Sequence, residues 1–185
     1  VVNSDSFEKV LISTDSDQIF DAVSDLPVER HVRPAAHATT RATVLDAMID
    51  LMQRQYGFSA FAYFLPTCPF VSVGDIKRGF EILADGHCDS VVSMTEIPET
   101  IQLACLMSQD NSVLPVFDNL EAGLTNSKFI KKYYKPSGAF YMGLWNYLLE
   151  NKNFFKRSTK GVIIPPERSV DINTLQDLKY AESII

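Results

Sequence analysis

The sequence has few of the residues that build metal-binding or disulfide frameworks. It contains three cysteines, Cys68, Cys88 and Cys105, and three histidines in 185 residues. The cysteines are odd in number and widely spaced, so they form no paired-cysteine metal motif, and the histidines show no metalloprotease or zinc-finger spacing. We therefore expect reduced, mostly buried thiols in a cytoplasmic protein.

Long apolar runs and an excess of positive charge are also missing. No stretch is long enough to span a bilayer and no charged-then-apolar leader opens the chain, so we expect no association with a membrane. Lys and Arg (17) are outnumbered by Asp and Glu (23), which gives a net charge of −6. Because a nucleic-acid-binding surface is normally basic, we expect no nucleic-acid partner, although a single nucleotide could bind where a few cations converge.

What is present is the pattern of one α/β domain over residues 1–185. Apolar residues make up 46% of the chain, which is enough for a core. Strand patterns occur at 9–13, 26–34, 60–65, 88–94, 139–142 and 161–164, and helical patterns occur between them at 16–23, 43–56, 72–83 and 144–150. Ser72, with Asp75 three residues on, is the predicted cap of the third of these helices. This alternation predicts a mostly parallel sheet with right-handed crossovers and helices on both faces.

The regular alternation weakens after Glu96. Strand patterns at 100–107 and 113–117 flank a polar turn at 109–112, which predicts an antiparallel pair. A hairpin inserted between parallel units often extends away from the main sheet. We therefore interpret it as a candidate dimerisation arm.

The segment 161–178 combines a strand, a polar turn and a capped helix. A double proline ends the strand, Arg168, Asp171 and Asn173 lie in the turn, and Thr174 and Asp177 have the spacing of a capping box. Such a turn at the carboxyl end of an α/β sheet is a common place for small anionic ligands. The alternative is an ordinary connection whose acids only cap a helix, and this segment alone favours that alternative.

Six stretches of the chain, each weak alone, occur together in a specific order. They are VLISTDS (10–16), RP (33–34), LPTCPF (65–70), DSVVS (89–93), KPSGAFY (135–141) and PPERSVDI (165–172). In this order, over nearly the whole chain, they resemble the acylneuraminate cytidylyltransferases, which include the CMP-sialic acid synthetases and relatives that activate other nine-carbon sugar acids.

The resemblance implies a Rossmann-like nucleotidyltransferase fold and a CTP-dependent reaction. Members of the family join CTP to the anomeric hydroxyl of a nonulosonic acid, a nine-carbon α-keto sugar acid of the sialic type, and release pyrophosphate and a CMP-sugar. Such phosphoryl chemistry usually needs Mg²⁺, for which one or two carboxylates suffice. The family is typically homodimeric, and the resemblance implies a dimerisation insert over residues 96–134.

The resemblance also implies the site residues. Asp171 matches the first metal-binding aspartate of the family's Asp-Ile-Asp element, and Asn173 stands at the second, so both are assigned to catalysis and metal binding. The nucleotide-binding group comprises Arg33, Ala42 and Leu65. The sugar-acid group comprises Tyr141, Phe154, Phe155 and Lys135. The alternatives are a surface role for Arg33 and plain core packing for the aromatic residues.

Several departures from the family pattern leave the activity open. Asn173 removes one negative charge from the expected metal site, Leu65 stands where sialic-acid enzymes commonly carry a glutamine, and Lys135 replaces a usual arginine. The family's first strand and its Gly-, Arg- and Lys-rich phosphate loop have no match here. We expect either a fragment of a longer protein or a homologue that lost the loop. The alternative function is a catalytically degenerate or truncated module that binds a sugar acid or nucleotide, or dimerises.

Overall fold

A computed structural model describes residues 1–39, 41–98, 100–126, 131–156 and 158–184. Its strands are β1 Leu11–Thr14, β2 Glu29–Val32, β3 Ala60–Tyr63, β4 Ser90–Glu96, β5 Cys105–Met107, β6 Val113–Pro115, β7 Tyr134–Leu144 and β8 Thr159–Ile163. Its α-helices are α1 Asp17–Ala22, α2 Val44–Gln53, α3 Val73–Ala84, α4 Trp145–Asn151 and α5 Leu175–Glu182.

The central sheet has the strand order β3-β7-β4-β8. Strands β3, β4 and β8 run in one direction, and β7 runs against both of its neighbours. The fold is therefore the expected α/β type. Three of the four strands of the central sheet share a direction, and the inverted strand β7 between β3 and β4 makes the sheet mixed. Strands β1 and β2 pair in parallel with each other as a separate two-stranded sheet.

Helices cover both faces of the central sheet. On one face, Ile76 and Leu83 of α3 pack against Val91 and the fully buried Phe140. On the other face, α2 and α4 pack in a second cluster that contains Met48, Met52, Val92, Trp145, Leu148 and Phe154. Adjacent residues of β4 thus face opposite clusters, as the two-residue period of a strand requires.

Capping boxes define where three of the helices begin. Ser72 and Asp75 bond reciprocally at the start of α3, and Thr174 and Asp177 do so at the start of α5, as the sequence predicts. Thr43 and Asp46 form a third box before α2. Each cap satisfies backbone N–H groups that the first helical turn leaves unpaired and contributes about 1 kcal/mol.

The predicted hairpin is present and projects apolar side chains into solvent. Strands β5 and β6 are antiparallel, although residues 101–103, predicted as strand, form a 3₁₀ helix. Leu106, Met107, Val113 and Leu114 are each 58–72% exposed. Residues 99 and 127–130 of the predicted insert lie outside the described residues, so the boundaries 96–134 stay a prediction.

Strand β7 bulges opposite Ser93, in the middle of β4. Val92 pairs with Tyr141 and Met94 pairs with Pro136, so residues 137–140 face the single residue Ser93. The Ser93 hydroxyl donates to the backbone oxygen of Phe140 at 2.9 Å and accepts from its N–H at 2.9 Å. This buried side chain therefore supplies the hydrogen bonds that the irregular ladder lacks.

Candidate active site

A cavity of about 210 Å³ opens at the carboxyl ends of β3, β4 and β8. Its lining comes from three separate parts of the chain: Leu65 after β3, residues 135–138 and Tyr141 of β7, and Ser169 and Asp171 beyond β8. The bulge of β7 brings Ser137 and Gly138 to this edge. Of the nine residues that the sequence predicts for the site, the cavity brings together Leu65, Lys135, Tyr141 and Asp171.

Asp171 presents an exposed carboxylate at this cavity. The Asn173 amide donates to its Oδ2 at 3.0 Å, and the Cys68 thiol donates to its Oδ1 at 3.8 Å. The Asp171 loop is fixed to the β3–α3 connection, because the Ile172 N–H donates to the Thr67 carbonyl at 2.9 Å. The loop thus holds a carboxylate and an amide two residues apart at the mouth of the cavity.

Cys68 lies below the cavity as a buried thiol. The Ser137 carbonyl, 3.5 Å from the sulfur, is a second acceptor within reach of the single thiol hydrogen. Burial together with the nearby Asp171 charge raises the pKa of the Cys68 thiol to about 11. A Cβ at Gly138 would lie 2.8 Å from the Cys68 sulfur, so the thiol fills the space that a glycine leaves. The protonated thiol acts here as a weak donor and a packing group.

The predicted aromatic residues form one cluster with a residue that sequence reasoning missed. Tyr63 of β3 stacks on Tyr141 with ring centroids 4.6 Å apart, and Phe154 meets both rings at 5.5–5.6 Å. Burial raises the pKa of both tyrosines. Phe154 is only 4% exposed, whereas Phe155 is 50% exposed and meets the Tyr141 ring edge-on at 6.3 Å. Tyr141 is the member of this cluster that also lines the cavity.

Arg33 and Ala42 are absent from the lining of that cavity. Arg33 follows β2, and its guanidinium donates to the Ser13 carbonyl at 2.6 Å and to the Ser13 hydroxyl at 3.4 Å. The Ala42 N–H bonds to the carbonyl and hydroxyl of Thr39 at the turn before α2. Their nucleotide-binding roles therefore stay predictions.

A larger hollow of about 460 Å³ lies at the opposite end of the sheet, before β3 and β4 and after β7. Its charged lining consists of the carboxylates of Asp89 and Glu150, among apolar and polar neighbours such as Trp145 and Asn146. Negative charge of this kind disfavours a triphosphate or a sugar carboxylate. The smaller cavity, with Lys135 beside Asp171, is the better candidate for anionic substrates.

Sequence reasoning missed Tyr63, Cys68 and Ser137 as members of the site. Cys68 and Ser137 lie within stretches that the resemblance quotes, and Tyr63 precedes one of them by two residues, so closeness to those stretches is the signal that could have found them. Within the described ranges of the chain, no group of three or more His, Cys, Asp or Glu residues could hold a metal ion. Nor does any helix among the described residues have the length and apolar character to cross a membrane.

A sheet with helices on both faces and an anion-compatible cavity at the carboxyl ends of its strands is typical of nucleotide-binding α/β proteins. Solved structures share this fold. The fold matches 4-diphosphocytidyl-2C-methyl-D-erythritol synthase from Anaerococcus prevotii at a TM-score of 0.66 and 13% identity, over 98% of this chain and 83% of that one. It also matches a CMP:2-keto-3-deoxy-manno-octonic acid synthetase complexed with CTP at a TM-score of 0.64 and 11% identity, over 98% and 83% of the two chains.

Comparison of the amino-acid sequence identifies the family. The cytidylyltransferase family model matches residues 1–182, and the chain belongs to that family. It is 30% identical to CMP-N,N'-diacetyllegionaminic acid synthase of Legionella pneumophila, over the whole chain and 81% of that relative. It is 26% identical to pseudaminic acid cytidylyltransferase of Campylobacter jejuni, over 98% of the chain and 79% of that relative.

A third relative is considerably longer than this chain. N-acylneuraminate cytidylyltransferase of Escherichia coli O18:K1:H7 is 28% identical over 99% of the chain, which spans 43% of that relative's length. The chain therefore corresponds to less than half of one relative and to about four fifths of the two others.

Proposed function

We propose that this chain transfers the cytidylyl group of CTP to the anomeric hydroxyl of a nonulosonic acid, giving a CMP-sugar and pyrophosphate. Membership of the cytidylyltransferase family carries the proposal. Relatives named for neuraminic, pseudaminic and legionaminic acids support this class of acceptor. The cavity that joins Asp171, Lys135 and Tyr141 supports the location of the reaction.

Each cavity residue has a chemical role in this proposal. Lys135 pairs with substrate negative charge, which is the stabilisation that in-line attack at the α-phosphate requires. Tyr141, backed by Tyr63 and Phe154, provides a flat, half-buried surface for the sugar acid. Leu65 closes one wall of the cavity, and exclusion of water there strengthens the electrostatic interactions inside.

Asp171 fits a magnesium ion that is shared with substrate phosphates. Magnesium prefers hard oxygen ligands, retains several waters and needs only one or two carboxylates. The exposed Asp171 carboxylate at the cavity meets this need. The Asn173 amide nitrogen faces Asp171, so its oxygen would add a neutral second ligand only after the amide turns over. Bound there, Mg²⁺ would neutralise charge on phosphate oxygens during nucleotidyl transfer.

A second function is supported by the same pair of residues. The Asn173 amide donates to Asp171 at 3.0 Å, a contact that two carboxylates could not make. A degenerate homologue that binds a sugar acid or nucleotide without turnover is therefore the competing proposal.

Pyrophosphate release from CTP and Mg²⁺, with a panel of sialic, legionaminic and pseudaminic acids, tests both functions. The assay uses this chain and, if the gene encodes a longer product, that product as well. We expect release that depends on one class of acid, and CMP-sugar detected in equal amount by mass spectrometry. Saturable binding of an acid without release by either protein would support the degenerate function and contradict the enzyme.

The proposal includes a homodimer formed through the hairpin and a cytoplasmic location. Four apolar hairpin side chains are 58–72% exposed in the single chain, which is typical of a surface that a partner covers. Free, buried thiols at Cys68 and Cys88 agree with a reducing compartment. Leu106→Asp combined with Leu114→Asp should give a monomer by light scattering at micromolar concentration. A wild-type protein that is itself monomeric there would contradict the dimer.

A further inference from the structure

Arg168 lies three residues before Asp171, yet its side chain bonds to a different part of the molecule. It follows β8 in a 3₁₀ helix, Pro166–Arg168. Its guanidinium contacts both carboxylate oxygens of Asp75 on α3, with Nη2 3.1 Å from Oδ1 and Nη1 on Oδ2. Nη1 also donates to the Phe70 carbonyl at 3.3 Å. A bidentate contact of this kind fixes the orientation of the guanidinium relative to the carboxylate as well as their distance.

Asp75 is itself held in place by the start of α3. Its Oδ2 accepts from the Ser72 N–H at 2.9 Å and from the Ser72 hydroxyl at 2.7 Å, which completes the capping box. The Asp75 side chain is 12% exposed and that of Arg168 is 33% exposed. The pair therefore connects the loop after β8 to a helix terminus whose own geometry is fixed.

Two further contacts hold the chain on either side of Asp171. Val170 is buried, and the Ile172 N–H donates to the Thr67 carbonyl at 2.9 Å. Thr67 and Phe70 belong to the same β3–α3 connection, and that connection also contributes Leu65 to the cavity. Asp171 is thus an exposed side chain on a segment that is tied to α3 and to the connection preceding it.

We propose that Arg168 and Asp75 are positioning residues that hold Asp171 at the cavity in the orientation needed for a shared divalent cation. The proposal rests on the function proposed above. Residues that orient a metal ligand typically change metal affinity or activity 10- to 100-fold when they are replaced. Arg168→Ala should therefore lower both kcat and the affinity for the cation about 10- to 100-fold, with KM for the sugar acid changed less than about twofold.

A readout that does not need turnover is cation binding followed by NMR. Mn²⁺ is titrated into the ¹⁵N-labelled chain, and broadening of the amide signals of residues 171–173 reports the affinity. Asp171→Ala defines binding that does not use the site. We expect Arg168→Ala to shift the midpoint to higher Mn²⁺ concentration by about 10-fold or more. An unchanged midpoint and an unchanged kcat in a folded variant would overturn the proposal.

The controls separate positioning from general stability. Arg78→Ala removes an exposed ion pair with Glu81 on the same helix and should leave the midpoint unchanged. If Arg168→Ala does not fold, Arg168→Lys is used instead, because lysine keeps the charge but cannot make the bidentate contact with Asp75. Its midpoint should shift at least about threefold, which is less than the 10- to 100-fold expected when the side chain is removed, because lysine keeps the charge. A wild-type midpoint in Arg168→Lys would overturn the proposal.

The outcomes also separate this inference from the proposed function. If wild-type protein releases no pyrophosphate while the midpoint still depends on Asp171 and Arg168, the function fails and the positioning role stands. If release is robust and neither kcat nor the midpoint depends on Arg168, the positioning role fails and the function stands.

Discussion

The Ser93 hydroxyl offers a sharp test of how the β7 bulge is stabilised. Ser93 is fully buried in β4 and bonds to both backbone polar groups of Phe140, at 2.9 Å each. Ser93→Ala removes one oxygen and adds nothing, so the change isolates these two hydrogen bonds. Leaving a buried backbone group unsatisfied costs about 1–3 kcal/mol, and two such groups lead us to expect a loss of about 3 kcal/mol in unfolding free energy.

A matched control lies three residues earlier on the same strand. Ser90 is equally buried, and its hydroxyl donates to the Phe154 carbonyl at 2.6 Å. The Thr159 hydroxyl donates to that same carbonyl at 2.5 Å, so Ser90→Ala leaves it satisfied. The expected cost of Ser90→Ala is therefore only about 1 kcal/mol, the net value of an ordinary hydrogen bond.

Urea unfolding, followed by Trp145 fluorescence and circular dichroism, measures the unfolding free energy of both variants. In a thermal melt of a chain of this size, 1 kcal/mol corresponds to about 2–4 °C in Tm. Ser93→Ala should therefore melt about 6–12 °C below wild type, and Ser90→Ala less than about 4 °C below. A loss for Ser93→Ala no larger than that for Ser90→Ala would refute the reasoning.

Three further predictions concern the cavity and its supports. Asp171→Ala should reduce pyrophosphate release at least about 100-fold, with Tm within about 2 °C of wild type because the side chain is exposed. Gly138→Ala should cost about 2 kcal/mol in urea unfolding, because φ is +83° and the new Cβ would lie 2.8 Å from the Cys68 sulfur. Burial raises the pKa of Asp75, but hydrogen bonds from Arg168 and Ser72 outweigh it and hold that pKa below 3.8. Asp75 therefore stabilises the fold above that pH, and the stability gap between wild type and Asp75→Asn should narrow as pH falls below about 4.

Each of these predictions has a control and a contrary outcome. A large drop in Tm for Asp171→Ala would show that the residue is structural. Gly86→Ala has a comparable φ of +75° with nothing within 4 Å of the added Cβ, so it should cost less than Gly138→Ala, and equal costs would contradict the steric argument. A stability gap for Asp75→Asn that is constant down to pH 2 would contradict the lowered pKa.

Local patterns were sufficient to predict the helix starts. Ser72 with Asp75, and Thr174 with Asp177, are separated by three residues, so the chemistry of the cap is contained in the sequence of the turn itself. The hairpin turn at 109–112 is equally local, and its strands pair as predicted. These caps and this turn, each formed by residues close in sequence, were therefore confirmed, whereas the strand predicted over residues 101–103 was wrong.

Features formed by distant residues could not be predicted in this way. The direction of β7 depends on its pairing with β3 and β4, and its bulge depends on Ser93, which lies 47 residues from Phe140. The Cys68–Asp171 contact spans 103 residues. In the turn after β8, Arg168 was predicted beside Asp171, but its partner is Asp75, 93 residues away. No short-range pattern contains these contacts.

The segment that precedes the hairpin is tied to the chain that leads into β7, because the Gln102 side chain donates to the Lys131 carbonyl at 2.6 Å. Strand β7 begins at Tyr134, which pairs with Glu96. Lys132, two residues earlier, forms an ion pair with Glu96 at 2.9 Å. The next residue along the strand, Lys135, already lines the cavity. If the proposed dimer forms through the hairpin, association would also affect the chain that leads to Lys135, the residue proposed to pair with the substrate anion. Specific activity should then fall on dilution below the dissociation constant of the proposed dimer, and every kinetic measurement would have to hold the enzyme concentration constant.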